Sequence, residues 1–135
     1  MPANAFFDTT VLVYIFKEGD KKSAIADQLL AGGGVLSVQV LNEFANVARR
    51  KLGMKWEEIE EALANIRDLC SPPAAITVKT HAAALKIAKR YGFQIYDSLI
   101  LASALETQCA ILYSEDLQHG QKIESLTIQN PFLSC

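Results

Sequence analysis

The sequence predicts an α/β fold, a three-layer α/β/α sandwich in which a short, mainly parallel sheet is covered on both faces by helices. Two observations carry that prediction. Brief apolar, β-favouring runs alternate with longer segments whose apolar residues recur at helical spacing. The brief runs are apolar throughout instead of alternating with polar residues, which is the pattern of strands buried on both faces. A third observation says where a site belongs. Acidic residues follow two of the predicted strands, and open parallel sheets bind ligands at the carboxyl ends of their strands.

The elements follow in order. Ala5–Asp8 is a first buried strand, and the hydroxyls of Thr9 and Thr10 can cap a helix running to Phe16. Gly19-Asp20 ends it. A second helix over Lys21–Leu30 stops at the run "AGGG", and Val35–Ser37 is a second strand. Val38–Leu52 carries Leu41, Phe44, Ala45, Ala48 and Leu52 at helical spacing and is closed by Gly53. Trp56–Leu69 is amphipathic along Ile59, Leu63, Ile66 and Leu69. "SPPA" then separates it from a third strand over Ala75–Val78. His81–Tyr91 is a helix ending at Gly92, and Asp97–Gln108, apolar nearly all round, is a central buried helix. Ala110–Ser114 is a strand, "EDLQHG" a loop, and Leu126–Ile128 a last strand or edge segment.

With 135 residues, residues 1–135 are expected to form a single domain with a proper core. Half of the residues are hydrophobic and 21% are charged, a globular composition. The formal net charge of −2 argues against a protein that coats nucleic acid electrostatically, though a local basic patch would suffice for binding. Three cysteines without CxxC or Cys/His spacing argue against a disulfide framework or a zinc site and fit a reducing compartment. No secretory leader and no apolar run long enough to span a bilayer is seen, so a cytoplasmic protein without membrane association is expected.

Asp8 raises the chemical question. It stands alone inside "AFFDTTVLVYIF", and burying a lone carboxylate is unfavourable by several kcal/mol unless something compensates. Three other acids sit at comparable places. Glu43 lies beside Leu41 and Phe44 on its helix, Asp97 opens the buried helix, and Asp116 follows a strand in "LYSEDLQHG". Each has an ordinary explanation taken singly: helix caps, a solvated helix face, a turn. Together, with no Lys or Arg inside the same motifs, they would repel one another. A hard divalent cation held by oxygen ligands relieves that repulsion, and Mg2+ or Mn2+ suits such a set. Glu115 is expected to be exposed, pointing away from Asp116. His81 falls outside these motifs, and His119 is taken as a loop residue.

The blocks "FFDTTVLVY", "LNEF", "YDSLILASAL" and "YSEDLQHG", in this order and at these separations, resemble a PIN domain of the VapC toxin type. The resemblance extends to the ending "LTIQNPF". It implies an α/β/α sandwich and a metal-dependent ribonuclease. By that resemblance Asp8, Glu43, Asp97 and Asp116 match the family's acidic positions, the same four residues that the charge argument selects. Thr10 stands where many relatives have Asn, Gln118 stands where some have a further acid, and Ser114 replaces the commoner Thr while keeping its hydroxyl.

The expected chemistry is hydrolysis of an RNA phosphodiester, with one or two Mg2+ or Mn2+ ions lowering the pKa of water and offsetting charge on the phosphoryl oxygens. Asp8, Asp97 and Asp116 are expected ligands. Glu43 is either a ligand or the group that orients water, and Thr10 and Ser114 support the carboxylates. Two basic clusters are candidates for gripping RNA: Arg49 and Arg50 with Lys51 and Lys55, and Lys86 with Lys89 and Arg90. The resemblance also implies a homodimer and a cognate antitoxin, for which the amphipathic helices from Val38 to Leu69, including Trp56, offer surface. A haloacid-dehalogenase-type phosphotransferase would need a second Asp where Thr10 stands, and a receiver domain a pair of acids at the first strand end. A rival of a different kind is a catalytically inactive PIN-like module that keeps its acids to bind Mg2+ and a protein partner.

Overall fold

The computed structural model describes residues 5–134. Among them are four strands and six helices: β1 (Ala5–Phe7), α1 (Thr9–Ile15), α2 (Lys21–Ala31), α3 (Val38–Arg50), α4 (Trp56–Leu69), α5 (Val78–Tyr91), α6 (Ile95–Glu106), β2 (Ile111–Tyr113), β3 (Lys122–Ile123) and β4 (Leu126–Gln129). The sheet order is β1-β2-β4-β3. β1 pairs with β2 and β2 with β4 in parallel, while β3 adds an antiparallel edge that the sequence did not signal. Consecutive residues of a strand face opposite sides of the sheet, and Phe6 and Phe7 are 0% and 1% exposed. Both faces of the sheet are therefore covered, as in the predicted sandwich. No helix among the described residues is long and apolar enough to cross a membrane.

The registers fix where the site lies. Phe7 pairs with Tyr113, so the next residues, Asp8 and Ser114, leave adjacent strands side by side at the carboxyl edge. The Asp8 N–H donates to the Tyr113 carbonyl at 3.0 Å and the Ser114 N–H to the Gln129 carbonyl at 3.0 Å. α6 is wholly buried from Ser98 to Ala104, which matches its apolar circumference.

Several local expectations are corrected. The cap of α1 is Asp8, whose carboxylate accepts from the Thr9 N–H, and not the Thr9 or Thr10 hydroxyl. Val35–Ser37 runs beside β1 in the predicted direction but is reduced to isolated parallel bridges, Phe6 with Val35 and Ser37 with Ala74. Ala75–Val78 is no strand. Thr77 caps α5 by accepting from the Thr80 N–H, so the helix begins at Val78, three residues before His81. A hydroxyl three residues ahead of a matching hydroxyl forms a reciprocal cap, and that local signal outweighs the β preference of Ile76, Thr77 and Val78. α6 likewise starts two residues early, at Ile95, which puts Asp97 in its first turn.

Candidate metal centre

The carboxyl edge of the sheet opens into a cavity of about 280 Å³. Asp8, Glu43, Asp97 and Asp116 all line it, with Thr9 and Thr10 between them. Four distant sequence segments contribute: the end of β1, the middle of α3, the first turn of α6 and the loop after β2.

Asp8 is the most constrained of the four. It is 5% exposed, and both of its oxygens are held. Oδ1 accepts from the Thr9 N–H at 2.7 Å, while Oδ2 accepts from the Ser114 hydroxyl at 2.7 Å and the Thr10 hydroxyl at 3.4 Å. Burial raises its carboxyl from the ordinary 3.8 to about 6, against the pull of the Ser114 and Thr9 hydrogen bonds, and the charges of Glu43 and Asp116 add to the rise. Asp97 is half-buried and is also raised, by burial first and then by Glu43 and Asp116. The same two acids thus act on both carboxyls, an electrostatic measure of their convergence.

Glu43 is half-buried and held from two sides. Its Oε1 accepts from the Thr9 hydroxyl at 3.1 Å and its Oε2 from the Gln39 amide at 2.9 Å. Asp116 is exposed at the rim, and its N–H donates to Ser114 Oγ at 3.2 Å. The relation between Glu115 and Asp116 is the reverse of the expected one. Glu115 is the half-buried member, accepting from the Tyr14 hydroxyl at 2.6 Å and pairing with Lys22, while its N–H donates to Thr10 Oγ1 at 3.0 Å. Its carboxylate is consequently spoken for by groups on α1 and α2.

Among the described residues, no three His, Cys, Asp or Glu side chains already stand close enough to share one ion. The acids surround the cavity without meeting at a point. Their donor chemistry nonetheless fits a hard divalent cation, since every titratable group facing the cavity besides two lysines and Tyr14 is a carboxylate, and no His or Cys lines it. The Asp8 carboxyl is raised chiefly by burial, with Glu43 and Asp116 adding to the rise, and a cation beside it would favour its charged form. His119 lies on the outside, where its Nδ1 accepts from the Asn130 N–H at 3.0 Å.

Of the basic candidates, Arg49 donates to the Met54 carbonyl at 3.1 Å and stacks on Trp56 at 5.1 Å, and Arg50 is exposed. Lys86 and Arg90 line a different cavity that shares no residue with the carboxylate one, and Lys89 is exposed on the same helix. The cations that do line the carboxylate cavity are Lys17 and Lys51. Lys17 was not singled out by the sequence, and Lys51 only as one of a cluster. A signal existed in the spacing. Thr9, Val13 and Lys17, and likewise Glu43, Val47 and Lys51, step by four residues, so each series follows one side of its chain segment into the cavity. Tyr96 is 60% exposed.

The molecule resembles solved structures at low sequence identity. Mycobacterium tuberculosis VapC20, a sarcin-ricin loop cleaving toxin, is 19% identical with a TM-score of 0.69, covering 83% of this chain and 89% of its own. A toxin-antitoxin complex from Klebsiella pneumoniae is 18% identical with a TM-score of 0.72 over 95% and 98% of the two chains. VapBC2 from Rickettsia felis, bound to a DNA fragment from its promoter, is 19% identical with a TM-score of 0.67 over 93% and 97%. No curated protein sequence matches this one significantly. The PIN domain model matches residues 5–122, which is most of the sequence and includes all five acids that line the cavity, Glu115 among them. The chain belongs to the PIN domain family.

Proposed function

We propose that this protein is a ribonuclease that uses Mg2+ or Mn2+ to hydrolyse RNA phosphodiester bonds, and that it is the toxin of a toxin–antitoxin pair. The observation that carries the proposal is the cavity walled by Asp8, Glu43, Asp97 and Asp116 on a PIN domain. The likeness to VapC20 and to the Klebsiella and Rickettsia complexes supports it, and with it a homodimer, a cognate antitoxin and a cytoplasmic setting where both RNA and antitoxin are met.

Asp8, Asp97 and Asp116 are the residues that would hold the ion, one or two in number, with Glu43 as a further ligand or the group orienting water. Bound there, the cation supplies Lewis acidity, activating water and offsetting charge on the phosphoryl oxygens. The protein's own groups do the rest. The Ser114 hydroxyl and the Thr9 N–H fix the Asp8 carboxylate in one orientation, and the Thr9 hydroxyl and the Gln39 amide fix Glu43. Preset orientation matters because a carboxylate that must reorient during reaction forfeits part of its electrostatic effect.

Lys17 and Lys51 lie just past the carboxyl ends of α1 and α3 and line the same cavity as Thr9 and Glu43. Among the described residues Lys22–Glu115 is the sole close ion pair, so neither lysine is held in a salt bridge, although Lys17 lies over the Tyr14 ring at 4.9 Å and its charge is felt by Glu115. They are placed to attract an RNA phosphate into a cavity whose acids repel it. Arg49, Arg50, Lys86, Lys89 and Arg90 are left for more distant parts of a strand.

The test is cleavage of a mixed RNA pool by purified protein with Mg2+ or Mn2+, beside EDTA and an Asp97→Asn protein. Cleavage that disappears in both controls is the expected result. Equal cleavage by the variant overturns the site. Folded protein that cuts nothing with either metal, yet gains thermal stability from Mg2+, favours the binding module over the enzyme.

A further inference from the structure

A second, shallower cavity of about 330 Å³ lies beside the carboxylate one. Its walls are Gln39, Asn42, Glu43 and Asn46, all on one face of α3, and the ring of Tyr96. Glu43 belongs to both cavities, and Tyr96 directly precedes Asp97, so the two cavities meet at the carboxylates. Among the described residues Tyr96 has neither an aromatic nor a hydrogen-bonding partner, although 60% of it is exposed. It projects from the first turn of a helix whose following residues, Ser98 to Ala104, are buried, which is a rigid mount for an unpartnered ring. The Gln39 amide nitrogen is committed to Glu43 at 2.9 Å, leaving its oxygen as an acceptor. Asn42 and Asn46 each present a donor group and an acceptor.

We propose that this cavity is a nucleobase subsite for single-stranded RNA, holding a base next to the phosphodiester presented to the four acids; it presupposes the nuclease function proposed above. The Tyr96 ring supplies a stacking face, and the carboxamides hydrogen-bond the base edge, the two means by which unpaired bases are read. The lining chemistry selects a base over the other occupants. No cation lines the cavity, and Glu43 repels phosphate, so the backbone of the strand does not belong there. No aliphatic side chain lines it either. Carboxamides paired with an aromatic ring match the alternating donors, acceptors and flat face of a base.

The experiment measures binding of a fluorescein-labelled, mixed-sequence single-stranded RNA in EDTA, and metal-dependent cleavage of RNAs that differ only at the nucleotides flanking the cut. Tyr96→Ala, Tyr96→Phe and the double variant Asn42→Ala with Asn46→Ala are compared with the unmodified protein. Tyr96→Ala is expected to weaken binding and raise KM by about tenfold, the loss of one stacked base, with kcat little changed. Tyr96→Phe keeps the ring and restores both. The double asparagine variant flattens the preference at one flanking nucleotide. If Tyr96→Ala and the asparagine variant bind and cleave with unchanged KM and preference, the subsite is overturned while the nuclease stands. If RNA binding depends on Tyr96 but no preparation cleaves, the subsite stands and the nuclease function falls. If the unmodified protein neither binds nor cleaves RNA, both fall. If Tyr96→Ala changes only the oligomeric state in sedimentation, the face joins two copies of the chain and the subsite is overturned.

Discussion

The hydroxyl of Ser114 donates to Asp8 Oδ2 at 2.7 Å while its oxygen accepts from the N–H groups of Asp116 at 3.2 Å and Leu117 at 3.3 Å. One buried hydroxyl therefore ties the carboxylate at the end of β1 to the loop that follows β2, 106 residues later. Its proton has one destination, because both lone pairs are occupied by backbone donors.

Ser114→Ala removes all three bonds at once. A supporting hydrogen bond of this kind is worth about 10- to 100-fold in metal affinity or activity, so kcat for RNA cleavage is expected to fall within that range. Leaving a buried carboxylate oxygen and two N–H groups without their partner also lowers stability by about 1–3 kcal/mol. Unchanged kcat with lowered Tm would show that Ser114 serves the fold alone.

The pH dependence of stability carries a defined sign. Asp8 holds its proton more tightly folded than unfolded, because its carboxyl rises from 3.8 to about 6. Its contribution to stability is fully present below about pH 3.8 and is lost as pH rises through about 6. That gap corresponds to about 3 kcal/mol. Asp8→Asn, a cap of equal quality, removes the titration. In EDTA the variant is expected to be the more stable protein near neutral pH, with the difference closing towards pH 4. Mg2+ added near neutral pH should stabilise only the protein that retains Asp8. Urea unfolding curves of the two proteins that stay parallel across this range would sink the assignment.

Glu115 is steadied by α1 and α2. Tyr14 donates to it at 2.6 Å, and Lys22 pairs with it while lying over the Tyr14 and Phe132 rings at 5.0 and 5.8 Å. Burial pushes the Glu115 carboxyl up, but the Lys22 and Tyr14 hydrogen bonds outweigh it and hold the carboxyl below its ordinary range. Partly exposed ion pairs add little to global stability, so the value of this one lies in positioning the Asp116 loop. Lys22→Met is expected to leave Tm nearly unchanged and to lower kcat severalfold. A variant with full activity would remove the ion pair from any role in the loop.

Gly34 has no room for a side chain. A Cβ there would stand 2.3 Å from Cε2 of Phe7, the residue directly before Asp8. Gly34→Ala must displace a ring that is 1% exposed and stacked on Tyr113 at 6.0 Å, a change costing about 1–3 kcal/mol. Gly32→Ala, whose Cβ meets nothing nearer than the Leu29 carbonyl oxygen at 3.4 Å, should be close to neutral. Equal thermal unfolding of the two variants would contradict the packing account.

What could be read without coordinates depended on contiguous chain. α4 spans Trp56–Leu69 as its apolar stripe predicts, and α2 begins at Lys21 as predicted, since helical periodicity is a local property. The four acids were picked out of the sequence only as a set, since each has an ordinary explanation taken singly, and the fold brings all four to the wall of one cavity. The false strand at Ala75–Val78 came from β-branched composition, which competes with a capping signal of similar local strength.

Everything that required two distant segments was decided by tertiary structure. Glu115 turned inward and Asp116 stayed at the rim because Tyr14 and Lys22, about a hundred residues earlier, reach the first and not the second. Lys17, Lys51 and Tyr96 acquire their places only when α1, α3 and α6 come together around the carboxylates. Periodicity records which side of its own helix a residue occupies. Which other helix stands opposite is set by the parallel register of β1 on β2, and that register joins residues no local pattern connects.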